Sequence, residues 1–539
     1  MTKTAFRLDT SRTAHTLRAL ADQHRHTSLR ELFAADARRH ERFSCRHDQL
    51  LLDYSKQRID TQVFAQLLAL AEEAKLAEGI RALFAGAPLN NTEGRAVLHT
   101  AARLSPLTPA AARAEISATT ERLQALVRSI HAGERLGSTG RPIRHVVHVG
   151  IGGSDLGPRL LQEAFAASLP LKLRVSYAAN IDESELRAIL ADSTPAETLF
   201  VLASKSFSTA ETLSNARLAQ AWLAQSLGGD MPLGAHFVAI SNNVAAAQAF
   251  GLSADNVFPM PEWVGGRFSV WSAIGLPLML AFGCEVFEQF QAGGRAMDAH
   301  FAQTPLEHNL PVLLGLLGLW NTSFLDIGTQ AILPYSHPLR SLPAYLQQLE
   351  MESNGKSVDR DGQALSWQTA PILFGGAGTV GQHAYHQLFY QGTRSVTLDF
   401  IVPVPAQASS AMQGLIGNAL AQAAALMQGR TLDEARAELK AKGLNADEVE
   451  RLAPHLVCPG NQPSNTLLMP EVSPYTAGQL LALYEHKVFV QGWLWGINSF
   501  DQYGVELGKN MARSLENDAN TPSDSSTAAL LAEVRQRWA

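Results

Sequence analysis

Between about residues 143 and 285, short β-branched and aromatic runs alternate with longer helix-patterned stretches, which leaves few folds open. The runs are HVVHV at 145–149, LRVSY at 173–177, TLFVL at 198–202 and FVAI at 237–240. Stretches such as 211–223 between them have the spacing of helices. This alternation predicts a mostly parallel sheet with helices on both faces and with ligands at the carboxyl ends of its strands. A second α/β unit is expected after about residue 285, with strands at 330–333, 371–374 and 396–402. No low-complexity linker separates the two. Residues 1–45 carry no strand signal and read as helices or an arm, and 59–84 are helical by pattern. The tail from about 509 contains the polar stretch 516–524 and then a short helix-like segment, so it reads as an arm.

With 539 residues the chain can build two or more large cores. A net charge of -6 argues against a nucleic-acid partner, while an anionic small molecule stays open through local basic patches. Cys45, Cys284 and Cys458 lie far apart with no CxxC pair, so they read as free thiols rather than as disulfides or a zinc site. The longest apolar run, 310–320, is too short to span a bilayer and reads as a buried helix. The first residues lack the apolar core of a signal peptide. A soluble protein in a reducing cytoplasm, with no membrane contact, is the expectation.

Two loops suit a phosphate and a sugar. The third strand runs into SKSFSTAET at 204–212, followed by a helix pattern. A helix N-terminus offers unpaired N–H groups and a partial positive charge, to which Ser204, Ser206, Ser208 and Thr209 add hydroxyls and Lys205 a cation. The plainer alternative is a hydroxyl cluster that only caps the helix. The first strand runs into GIGGSDLGP at 150–158, which departs from GxGxxG because Asp155 stands where the third glycine belongs. A carboxylate there would repel a pyrophosphate. The loop reads as a sugar or polyol site, with nicotinamide binding and a purely structural turn as alternatives.

Four further segments carry groups able to do chemistry. QLEMESNGK at 348–356 ends a helical run in Asn-Gly and offers Glu350 and Glu352, which would point to different faces of a helix. The pattern alone does not choose between them. Arg267 follows Gly265 and Gly266 and could face a developing oxyanion or make a surface ion pair. In GTVGQHAYHQ at 378–387, His383 could pass a proton near neutral pH, and His386 could share its face. Structural histidines, and a metal pair that lacks a third ligand nearby, are the alternatives. Lys509 follows the amphipathic stretch 499–508 and by itself reads as a solvated charge.

Taken in order, these segments resemble the glucose-6-phosphate isomerase family. The likeness runs from NTEGRAVLH at 91–99 through both loops, GGRFSVWSAIG at 265–275, 348–356, 378–393 and 484–509, ending in SFDQYGVELGK. It covers most of the chain from about 45 to 510. It implies two α/β/α sandwich domains of mostly parallel sheets with a C-terminal arm. With the pattern above, this divides the chain into a helical segment 1–45, a larger domain 46–110 and 286–508, a smaller sugar-phosphate-binding domain 111–285, and an arm 509–539. The resemblance also implies interconversion of glucose 6-phosphate and fructose 6-phosphate through a cis-enediol, without cofactor or metal, in a homodimer with shared sites.

By the same resemblance, Glu352 is the base and Arg267 stabilises the intermediate. His383, supplied by the neighbouring subunit, opens the ring with help from Lys509. Ser204, Lys205, Ser206 and Thr209 hold the phosphate, while Gly153, Ser154, Gln348 and Gln502 line the sugar and phosphate site. Glu211 matches a glutamate often linked to His383. Val380 and Gln462 stand where the family usually has asparagine and arginine. Activity on mannose 6-phosphate as well, or a non-catalytic sugar-phosphate sensor, are the rival expectations.

Overall fold

A computed structural model of the chain describes residues 6–516 and 524–538. Most of the polar stretch expected at 516–524 lies outside the described residues. The first two strands, β1 (Ser44–His47) and β2 (Leu50–Asp53), pair antiparallel. The next five are β3 (His145–Gly150), β4 (Arg174–Ala178), β5 (Thr198–Ala203), β6 (Phe237–Ile240) and β7 (Val257–Phe258). They form a parallel sheet in the order β4-β3-β5-β6-β7. Every residue of β3, β5 and β6 is buried. Unbroken burial is what a parallel strand covered on both faces requires, and it explains the continuous apolar runs. From β3 the chain turns one way to β4 and the other way to β5. The sheet therefore has a switch point between β3 and β5, where the loops that follow these strands open a crevice.

The last four strands are β8 (Thr329–Pro334), β9 (Ile372–Gly375), β10 (Thr397–Pro403) and β11 (Ser464–Met469). With the hairpin they build a six-stranded sheet in the order β1-β2-β11-β10-β8-β9. β11, β10, β8 and β9 are parallel to their neighbours, and β2 joins β11 antiparallel. Beside this sheet the helix Pro474–Trp495, buried along nearly its whole length, packs against the helices Cys284–Gln303 and Leu310–Leu319.

Several buried polar side chains inside this half bond to one another, which offsets part of the cost of their burial. Asp399 on β10 accepts from Gln330 at 2.9 Å, Asn465 at 2.8 Å and Tyr484 at 3.0 Å. Arg103, fully buried, bridges Asp298 and Glu485, and Trp271 donates to Glu485 at 2.7 Å.

The residues through Ser499 form one compact unit, and those from Phe500 form a second with the helices Gly504–Glu516 and Ser525–Trp538. No helix of the described residues is long and apolar enough to cross a membrane.

Candidate active site

The loops after β3 and β5 are the two singled out in the sequence, and both stand at the switch point of the five-stranded sheet. After β5, Phe207 takes a left-handed backbone conformation (φ 50°) and is buried, which turns the chain sharply before the helix Ala210–Leu227 begins. The hydroxyls do not cap that helix. Thr209, at its N-cap, makes no side-chain capping bond. Instead Ser204 and Thr209 pair at 2.9 Å and Ser206 and Ser208 at 2.7 Å. A helix start not satisfied by its own hydroxyls keeps its N–H groups for an anion.

Lys205 donates to the carbonyls of Glu262 (3.0 Å) and Val264 (3.1 Å), tying this loop to the segment that leads to Arg267. Burial lowers the Lys205 pKa, and the nearby Glu262 carboxylate opposes that shift.

After β3, Gly152–Ser154 forms a 3-10 turn. A methyl group on Gly153 would stand 2.0 Å from the Gly266 carbonyl oxygen, so only glycine lets the two loops meet. A methyl on Gly152 would lie 3.1 Å from the Gln348 amide nitrogen, which places Gln348 over the turn. From below, His148 holds the turn by a 2.7 Å bond to the Ser154 carbonyl. Burial lowers its pKa to about 4, so the neutral ring donates. Asp155 does not face the crevice as a phosphate-repelling group would. It is buried against Arg159 at 3.0 Å, and burial raises its pKa.

The third element is the helix Leu342–Gln347, which widens into a π turn at Gln348–Glu352 and closes at Asn354. π turns of this kind occur often at functional sites. This turn separates the two carboxylates. Glu350 points into the core and meets Lys487 at 2.9 Å, with both side chains at most 2 % exposed. Glu352 faces the other way, 23 % exposed, with its nearest oxygen 3.8 Å from an Arg267 nitrogen. That separation is beyond hydrogen-bond range. The Glu352 carboxylate accepts no hydrogen bond among the described residues.

Arg267 is buried and fixed by groups that the sequence reading does not single out. Its Nε donates to the Ser353 hydroxyl and an Nη to the Ser499 carbonyl, both at 2.6 Å. The Ser499 hydroxyl in turn donates to Asn354 at 2.7 Å. Ser353 and Asn354 lie inside the 348–356 segment, and their position directly after Glu352 is the available signal.

His383 ends a 3-10 turn (Gly381–His383) and is exposed, with no hydrogen-bond partner for its ring among the described residues. His386 does not share its face. It starts a separate short helix and is buried, 3.1 Å from the Gln422 amide oxygen. Burial lowers the His386 pKa. Nor does a bond join His383 to the half-buried Glu211 within the described residues. Gln502 and Lys509 belong to the second unit, where Lys509 lies inside the helix Gly504–Glu516 and pairs with Glu506 at 3.1 Å. Gln462 is buried and bridges two backbone groups, accepting from the Val396 amide and donating to the Phe389 carbonyl, both at 3.0 Å. Val380 is 69 % exposed and meets solvent.

A parallel sheet whose switch-point loops meet a buried guanidinium and a carboxylate with no hydrogen bond among the described residues is an arrangement suited to acid–base chemistry on an anionic ligand. The family model for phosphoglucose isomerase matches residues 53–531. A glucose-6-phosphate isomerase of Aromatoleum aromaticum is 57% identical over 508 residues, covering 94% of this chain and 93% of that one. One of Dechloromonas aromatica is 49% identical over 530 residues, covering 96% and 98%. The crystal structure of a glucose-6-phosphate isomerase from Chlamydia trachomatis superposes with a TM-score of 0.85 at 32% identity, covering 98% of this chain and all of that one. The chain belongs to the phosphoglucose isomerase family.

Proposed function

We infer that the chain interconverts glucose 6-phosphate and fructose 6-phosphate, as an aldose–ketose isomerase of this family does. The reaction removes a proton from a carbon beside a carbonyl, which needs a positioned base and a group to stabilise the enediolate. The observation that carries the residue assignment is the contrast between Glu350, sealed against Lys487, and Glu352, unbonded and reachable beside Arg267. Glu352 moves the proton between the two carbons. Arg267, fixed by Ser353 and the Ser499 carbonyl, meets the negative charge without exchanging protons. The loop of Ser204, Lys205, Ser206 and Thr209 holds the phosphate, which takes no part in bond changes and so orients the reacting end. Gly153, Ser154, Gln348 and Gln502 line the rest. Triosephosphate isomerase divides the work in the same way, between a glutamate base and a separate electrophile.

His383 opens the sugar ring and Lys509 assists it. We assign His383 to the neighbouring subunit's site, which makes the working form a homodimer. Its exposed ring, without a partner in its own chain among the described residues, supports this reading. Glu211 then orients the neighbour's histidine. The division into domains 46–110 with 286–508, 111–285, and an arm from 509 goes with it; the five-stranded sheet falls within 111–285, and the six-stranded sheet within the other domain apart from the start of β1 at Ser44.

Co-expression of a Glu352→Gln chain with a His383→Ala chain tests the shared site. Mixed dimers keep one complete site, so random pairing should restore about a quarter of the wild-type sites. A mixture as inactive as its parents would place both groups in one chain. The alternative of dual activity on mannose 6-phosphate is decided by a coupled assay with each hexose phosphate.

A further inference from the structure

An open cavity of about 990 Å³ lies at the amino ends of the strands β8, β9 and β10. It is bordered by the segments that lead into them (325–329, 367–372 and 393–395). Its lining includes the cations Arg25, Arg58 and Arg394, a Lys356 that is engaged elsewhere, and the carboxylate Asp326, which accepts from the Gln368 amide at 2.5 Å.

Arg58 is the unusual member. It is 6 % exposed and meets no carboxylate among the described residues. One Nη reaches the Arg25 carbonyl at 3.2 Å and the other the Ser395 hydroxyl at 3.4 Å, while its Nε has no partner. A buried guanidinium without a counter-charge is costly, and structures normally pair it. Burial, and then the neighbouring Arg25, lowers its pKa to about 10, which leaves it cationic at neutral pH. Arg25 directs its donors to the Phe324 and Leu325 carbonyls and pairs only with the exposed Asp22, at 3.8 Å. Trp367 lines the same cavity, and its indole N–H is a second buried donor without an acceptor. Two orphaned donors and the cations Arg25, Arg58 and Arg394 suit an acceptor-rich anion.

We propose that this cavity binds a small phosphorylated anion of the diphosphate class, with Arg58 as its central cation and Arg394 at the rim. Lys356, four residues beyond Glu352, lines the cavity, so an occupant would touch the segment that leaves the catalytic helix.

The test is calorimetric titration of the full-length protein with inorganic pyrophosphate in the presence of saturating fructose 6-phosphate, which keeps the catalytic phosphate loop occupied. One equivalent per chain is expected. Arg58→Leu should weaken binding at least about tenfold, as loss of a charge-assisted contact does, and Arg394→Ala should weaken it about threefold. Arg394 is exposed and in no ion pair among the described residues, so its variant keeps the test valid if Arg58→Leu folds poorly. Both variants should keep the basal kcat. Absence of binding while the catalytic site is saturated, or binding unchanged in Arg394→Ala and in a folded Arg58→Leu, would overturn the proposal. Failure of Glu352 as the base would leave this result untouched.

Discussion

Glu350 and Glu352 stand two residues apart on one turn and live in opposite surroundings. Glu350 belongs to a polar chain through the large sheet, with Lys487, Gln330 and Asp399 in succession. There Lys487 holds Glu350 through one carboxylate oxygen, and neutral donors hold Asp399. Glu352 has a cation in view at 3.8 Å and no bond to it. A buried ion pair serves the fold, whereas a carboxylate with no hydrogen bond beside a fixed guanidinium leaves room for other atoms between them. The difference separates structural charge from working charge more clearly than burial alone, because Arg267 is itself buried.

The largest effect expected from breaking this contrast is on turnover. Glu352→Gln should lower kcat by about 10²–10⁴-fold, the range for loss of a general base. Arg267→Ala should lower kcat by about 10²–10³-fold and change KM less, since its contact strengthens as charge develops. Thermal unfolding of Glu352→Gln should match the wild type, because that carboxylate makes no hydrogen bond among the described residues. Glu350 should behave in the reverse way. Lys487→Met leaves the Glu350 charge buried without its partner and should cost about 3–5 kcal/mol in denaturant unfolding, with kcat of the folded protein within a few fold. A stable Lys487→Met protein that had lost turnover would merge the two regions and end the distinction. The smallest effect belongs to the loop proposed to hold the phosphate, where Ser206→Ala with Thr209→Ala should raise KM about tenfold while changing kcat less. An unchanged KM would move the phosphate elsewhere.

Seven of the eleven strands are legible in the sequence, and the clearest, β3, β5, β6 and β10, are buried along their whole length and read as apolar runs. β11 is not legible. Its sequence SNTLLM carries Asn465, which looks like a turn residue but is buried, donating to Asp399 at 2.8 Å and accepting from Gln57 at 2.9 Å. A polar residue buried through long-range hydrogen bonds leaves no periodic signal. β1, β2 and β7 are only two to four residues long, too short for alternation to stand out. In the candidate site, the loop proposed to hold the phosphate stands out because strand, hydroxyls and helix are contiguous. The choice of Glu352 over Glu350 is not readable from pattern, since it depends on Lys487 and Arg267, both remote in the chain. The supports of Arg267 escape for the same reason, as one of them is the Ser499 carbonyl, which no side-chain pattern encodes.

Isomerisation in heavy water, followed by proton NMR of the sugar phosphate, tests the role of Glu352 most directly. The wild type should place deuterium on the carbon beside the carbonyl in product and in recovered substrate. Glu352→Gln should bind hexose phosphate and leave that carbon unlabelled. Exchange by Glu352→Gln at the wild-type rate would contradict the assignment.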